Sequence, residues 1–400
     1  MSRKALPSRR RTENSMKIGV TMYIQNYPDW GRFGQLEQGE AVPVLDPNTD
    51  AQIWAQEIDT ALKIEGMGYD SIWTVEHHVS PYTMITNAVQ ALTFYAGATS
   101  RIDLGTMIVV VPWHNPLRVA EEITMLQHVL RGRRAFIGFG RGLGRREYKA
   151  LGVDQNESRE RFKEGIDVIK LALTQERFSY DGQIHHYENT TMRPRPRDAA
   201  QLIDDMCFSW GSPSSAPVGA ALGLRPLIIP QKAFAEYHKD LEDFGKARAE
   251  AGYEPARPRI HLHMYCDSNA ERAEEYATRH ILEYLDSANR NYELTSDHFK
   301  NIKGYEHYQA MQAEAAARDY NPGQAWVDNC VWGTPDQCIA KIQKLVDGFH
   351  PDEFMLTGRY GSMPHDVSQR SLELFAREVV PAVHEMPTLE PITYTATAAV

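Results

Sequence analysis

Residues 102–111 read Ile-Asp-Leu-Gly-Thr-Met-Ile-Val-Val-Val, a run too uniformly apolar to leave one face in water. Such a segment is expected of a strand buried on both faces, as in a parallel sheet covered by helices. The same alternation recurs along the chain. β-rich runs are predicted at 18–23, 71–75, 102–111, 134–140, 205–210, 226–229, 260–266 and 353–357. Helical periodicity is predicted at 53–64, 85–98, 117–130, 159–173, 216–222, 234–252, 270–284 and 335–346. Eight strands interleaved with eight helices and with no linker imply an α/β chain closed into a (β/α)8 TIM barrel rather than a doubly wound sheet.

An ordinary barrel takes about 250 residues. The span 17–385 is roughly 120 longer, and segments 24–50, 141–157, 175–203 and 286–325 hold most of the surplus. The first two directly follow strands one and four, so they are expected as insertion loops at the C-terminal mouth, where barrels build active sites. Residues 177–192 predict a hairpin around Asp181-Gly182. The barrel domain is drawn over 16–386. Residues 1–15 hold Arg3, Lys4, Arg9, Arg10 and Arg11 with no apolar stretch behind them. They are expected to be a disordered basic leader, or to precede a native start at Met16, and not a secretory signal. Residues 387–400 are expected to be a flexible tail.

Charge and thiols exclude whole classes. With 43 Lys and Arg against 53 Asp and Glu, the net charge is −10, which argues against binding to nucleic acid or an anionic membrane. No window approaches the roughly eighteen apolar residues of a membrane span. Cys207, Cys266, Cys330 and Cys338 are too scattered for a disulfide framework or a zinc site, and are expected to be reduced cytoplasmic thiols.

Several motifs fall after strands. Glu76-His77-His78 follows the second, where a barrel places acid–base groups, although capping of the strand end would use the same residues. Gly138-Phe-Gly-Arg-Gly-Leu-Gly-Arg145 follows the fourth. Its spacing fails the dinucleotide fingerprint, which would need Gly where Leu143 or Arg145 stands. Its glycines still allow close backbone approach, and Arg141, Arg145 and Arg146 suit an anion. Gly211-Ser-Pro-Ser-Ser215 follows the fifth strand and precedes a helix, a place for either a phosphate or simple caps. His261-Leu-His263 puts two imidazoles on one strand face, but on the seventh strand rather than the first, so no metal site is expected. Tyr23, Tyr27, Trp30, Phe33, Tyr82, Trp113 and Trp210 crowd the mouth and fit an apolar substrate pocket.

Taken in order, these pieces resemble the bacterial luciferase-like, FMN-dependent two-component monooxygenases, from about residue 17 to 385. The residues that carry the resemblance are 69–78 (Tyr-Asp-Ser-Ile-Trp-Thr-Val-Glu-His-His), 104–112, 133–143, 156–159, 211–215 and 332–338. The resemblance implies a barrel that binds FMN at its mouth. By position, His77 matches the family's catalytic histidine. Arg141, Arg159, Ser212 and Ser215 match its phosphate positions, with Leu143, Trp210 and Gly211 beside them. Met107 and Ile108 match a non-proline cis peptide against which the flavin packs. Tyr23, Trp30, Phe33 and Trp113 are expected to meet the substrate. Three departures stand out: Gly211 where the luciferase has an acid, Ser214 where many relatives have Glu, and Gly140 in place of a reactive cysteine, so light emission is not implied.

The implied chemistry is that an NAD(P)H:flavin reductase supplies reduced FMN, which reacts with O2 to a C4a-peroxide. That species hydroxylates an apolar or aromatic small molecule, oxidises an aldehyde, or inserts oxygen in the Baeyer–Villiger manner. A homodimer is also implied. A deazaflavin-dependent hydride-transfer enzyme shares the barrel and much of the motif order. A metal-dependent hydrolase using His261 and His263, and a non-catalytic flavin-binding subunit, are further alternatives.

Overall fold

The eight predicted strands are all present, and they close. The computed structural model describes residues 15–294 and 322–394, with 296, 298, 299, 302, 303 and 305 between them. The barrel strands are β1 (Lys17–Met22), β2 (Ser71–Thr74), β3 (Asp103–Val110), β4 (Ala135–Gly140), β5 (Met206–Ser209), β6 (Arg225–Ile228), β7 (Arg259–Cys266) and β8 (Glu353–Thr357). Each pairs in parallel with the next, and β8 returns to β1 with Val20 opposite Leu356. Arg259 closes the ring, facing Leu227 of β6 on one side and Glu353 of β8 on the other. A further short strand, Val331–Gly333, pairs with the upper half of β7, from Met264 to Cys266.

Polar and aromatic side chains fill the base of the barrel. Arg259 lies 4.2 Å from the centre of the Phe136 ring and 3.4 Å from Glu353 Oε2. Glu353 also accepts from Ser71 Oγ and from Trp73 Nε1. Trp73 stacks on Phe136 with centroids 5.7 Å apart. It fits only because Gly105 has no side chain: a Cβ there would come within 2.5 Å of the indole.

Two parts of the outer layer differ from expectation. The helix after β8 is His365–Glu378, a charged, Ser- and Gln-containing segment not among the predicted helices. The predicted helix 270–284 continues to Tyr292, well into a stretch expected as an insertion loop. This helix, capped by Asn269, runs from β7 across the barrel mouth rather than down its side. Its Tyr284 meets Tyr82, and its end reaches His77. The helix that returns to the base before β8 is Pro335–Phe349, opened by a reciprocal Thr334–Gln337 cap. The helix predicted at 53–64 begins earlier, at Pro47, because Asp46 accepts from Asn48 N and Pro47 suits a first turn. The 177–192 hairpin forms, with Phe178–Asp181 antiparallel to His186–Thr190.

The expectations at the two ends meet different outcomes. Residues 1–14 and 395–400 lie outside the described residues. Residues expected as a loose tail from 387 make specific contacts as far as 394. Ser15 bridges Pro387, Arg257 Nε donates to Leu389 O at 2.7 Å, and Tyr394 packs on Gly245. These contacts and the half-buried Tyr394 ring offset the conformational entropy of ordering these residues.

Candidate active site

The mouth holds a cleft of about 780 Å3, counting the part open to solvent. Its walls come from the ends of β2 to β6 and from Tyr292 and Tyr305. One wall is apolar: Met107, Ile108, Val110, Phe208 and Ile229. The Met107–Ile108 peptide is cis, and the pairing of β3 with β4 shifts register there. Glycines keep the opposite strand low. A Cβ on Gly140 would meet Ile108 Cδ1 at 2.0 Å, and Gly142 has φ +74°.

At one end of the cleft the donors converge. Arg141, buried at the end of β4, donates from Nη2 to Ser215 Oγ at 2.9 Å, and Ser212 Oγ lies 2.8 Å from Ser215 Oγ. The Tyr305 ring lies 4.9 Å from the Arg141 guanidinium, while its hydroxyl donates to Gly142 O. Trp210, Gly211 and Leu143 line the same cleft. Trp210 is fixed by its indole N–H, which donates to buried Asp240 at 2.9 Å, and by stacking on Phe244.

At the other end stands His77, whose side chain is 14% exposed. Its Nδ1 is 2.9 Å from Glu147 Oε1, and its Nε2 is 3.1 Å from the Tyr292 hydroxyl. Glu147 is fully buried, and the same Oε1 accepts from His78 N. A carboxylate can only accept, so Glu147 holds the Nδ1–H tautomer and leaves Nε2 as the acceptor that faces the cleft. Glu76 also lines the cleft, but its carboxylate is taken up by other donors. It accepts from Val110 N, His78 Nε2 and His114 Nε2. Burial alone would raise its carboxyl pKa, but these donors hold it below the ordinary value, while burial of His114 is outweighed by Glu76, which raises it.

The structure gathers His77, Met107, Ile108, Arg141, Leu143, Trp210, Gly211, Ser215 and Trp113 around one cleft, with Ser212 behind Ser215. Arg159, half-buried in the first turn of helix Ser158–Thr174, does not line it. Nor do three of the expected substrate residues. Trp30 and Phe33 pack edge to face on each other, with Arg146 over Phe33, and Tyr23 is buried against Tyr82 and Tyr284. Glu147, Tyr292 and Tyr305 were not singled out in the sequence. Glu147 sits in an ordinary charged turn, and the two tyrosines sit in a stretch expected to be loop. The arrangement fits a flavin mononucleotide: hydroxyl and guanidinium donors suit a phosphate, and the apolar wall suits a planar ring. His261 bonds Thr357 Oγ1 at 2.8 Å, His263 packs among aromatic rings, and no group of three metal-ligating side chains occurs among the described residues.

A closed parallel barrel with its polar groups gathered at the C-terminal mouth is the architecture of a barrel enzyme. The model of one family, luciferase-like monooxygenase, matches residues 41–349, and the chain belongs to that family of oxidoreductases. It is 24% identical over 292 residues to the alkanal monooxygenase alpha chain of Aliivibrio fischeri, covering 71% of this chain and 81% of that one. It is 26% identical over 351 residues to the oxygenase component of a flavin-dependent trigonelline monooxygenase from Acinetobacter baylyi, covering 86% and 93%. Its fold matches that of the oxygenating constituent of 3,6-diketocamphane monooxygenase of Pseudomonas putida, a type II Baeyer–Villiger monooxygenase solved with FMN. The TM-score is 0.67 and the identity 19%, over 92% of this chain and 98% of that one. No helix among the described residues is long and apolar enough to cross a membrane.

Proposed function

We propose that this chain is the oxygenating component of a two-component system. It takes reduced FMN from a separate NAD(P)H:flavin reductase and uses O2 to oxygenate an apolar or aromatic small molecule. The observation that carries this reading is one cleft that joins an apolar wall, an Arg141–Ser215 pole and an imidazole set by Glu147. The two oxygenase components among the similar proteins, one solved with FMN, support it.

Arg141, Ser212 and Ser215 would hold the FMN phosphate, with Arg159 joining them if its side chain turns in. Met107 and Ile108 would carry the ring. Bound and reduced, the flavin supplies the electrons that activate O2. The protein keeps the site dry with the apolar wall and the helix Ala270–Tyr292 laid over the mouth. His77 Nε2 accepts a proton from the reacting group or returns it, while Glu147 holds the ring and stabilises the imidazolium that forms. Tyr292 donates to Nε2 while no reacting group is there, which keeps the imidazole oriented.

The test is oxygen uptake by the purified chain with reduced FMN and a panel of phenols, ketones and aldehydes, with peroxide release followed in parallel. The expected result is FMN binding together with a substrate that diverts oxygen from peroxide into product. Binding of a deazaflavin instead of FMN, or peroxide as the sole product with every substrate, would overturn the reading.

A further inference from the structure

The phosphate end of the flavin cleft is covered as well as lined. Arg141, Ser212 and Ser215 are all buried there. The cover over Arg141 is Tyr305, which is 1% exposed and forms part of the cleft wall. Its ring lies 4.9 Å from the guanidinium, a cation–π contact that holds the aromatic face against the donor. Its hydroxyl donates to Gly142 O at 2.8 Å and lies 3.2 Å from Ser158 Oγ. Gly142 follows β4, and Ser158 opens the helix Ser158–Thr174. One side chain therefore bridges the strand end that carries Arg141 and the start of the helix beside it.

Neighbouring residues hold the tyrosine in place. Phe299 stacks on it with centroids 6.2 Å apart, and Leu143 packs against this pair. Lys303 N donates to Asn156 Oδ1 at 3.2 Å, just ahead of the same helix, and the Lys303 ammonium lies 3.4 Å from Glu160. Moving Tyr305 aside would break its hydrogen bond and expose its ring at once. It stands as a wall of the cleft.

We propose that Tyr305 restricts the cofactor to a flavin mononucleotide by closing the cleft beyond the phosphate. The proposal rests on the flavin reading above and adds how that site chooses among flavins. A phosphate monoester is tethered only from the cleft side, and its free oxygens meet the guanidinium and hydroxyl donors. In a flavin dinucleotide the same phosphate continues into a second phosphate and a nucleoside. That continuation has to leave the donors on the side where Tyr305 stands, so it must displace the ring or draw the first phosphate off Arg141. Discrimination of this kind comes from an obstacle to the wrong ligand, with no added contact to the right one. Riboflavin, without a phosphate, gains nothing from Arg141 and does not reach the obstacle.

The experiment is calorimetric titration of wild type and Tyr305→Ala with oxidised FMN, FAD and riboflavin. Wild type should bind FMN roughly 100-fold more tightly than FAD. Tyr305→Ala should narrow that ratio to about tenfold or less, chiefly by binding FAD better, with riboflavin affinity unchanged. Equal binding of FMN and FAD by wild type, or an unchanged ratio in Tyr305→Ala, overturns the proposal and leaves the flavin reading standing. Should the variant fail to fold, a wild-type crystal with FMN decides: the phosphate on Arg141 with Tyr305 still across that end supports the proposal, and Tyr305 swung off Arg141 overturns it. Binding of none of the three flavins by wild type would refute the flavin reading and this proposal with it.

Discussion

In the proposed reaction, His77 and Glu147 divide the work at the residue scale. The histidine meets the cleft; the glutamate, fully buried, sets which nitrogen is free. His77→Ala should cut product formation roughly 100-fold or more while FMN affinity stays near wild type, measured as product per turnover against a fluorescence titration of FMN. Glu147→Gln keeps the shape but offers an amide that can present its N–H to Nδ1 and so favour the other tautomer. Its kcat should fall about 10–100-fold, with the pH dependence of kcat altered. Arg141→Ala should act on the opposite pole and weaken FMN binding without a matching loss of turnover at saturating FMN, because a charge-assisted phosphate contact goes. His77, Arg141 and Ser215 were legible because each follows a strand end in a recognisable motif. Glu147 was not, because a Glu in a short Arg- and Lys-rich helical turn looks like solvated surface until the turn folds back over β2.

Elements were legible where one face or both faces of a segment are uniformly apolar, hence all eight strands. The helix His365–Glu378 escaped because its buried face includes Ser368, Gln369 and Ser371, which blur the apolar stripe, the last two with side chains that bond inside the core. The length of Ala270–Tyr292 was missed for a related reason: past Tyr284 its buried positions are Ser287, Ala288 and Asn291. Strand ends also conceal the plug at the barrel base. Arg259 and Glu353 read as polar boundaries in the sequence, yet they are 3% and 1% exposed and face each other inside the ring. Removing one partner strands the other charge. Arg259→Ala should lower stability by about 3–5 kcal/mol, read from urea denaturation midpoints. Arg259→Met combined with Glu353→Gln should recover a good part of that loss, because the paired desolvation goes with it.

For the whole molecule, the net charge of −10 describes the exterior and says little about the core, where two buried histidines stand among several shifted groups. Burial lowers His261 to about 3, and His263 in the same direction, from the ordinary 6.5. Each is neutral when folded and takes up a proton readily when unfolded. Acid therefore favours the unfolded chain: the contribution of each is intact above about pH 6.5 and is lost as the pH falls toward the folded value. By pH 5 the loss is about 2 kcal/mol for His261 alone. His114 works in reverse, since its raised value gives stability that is present below pH 6.5 and fades above the folded value. Its partner Glu76, held low, loses its own contribution only in more acid solution. The net expectation is a urea midpoint that falls between pH 7 and pH 5. His261→Asn should flatten that fall even if it lowers the midpoint at pH 7 through its altered bond to Thr357. A slope unchanged by His261→Asn would mean that the core histidines do not govern acid stability, and that the carboxylates do.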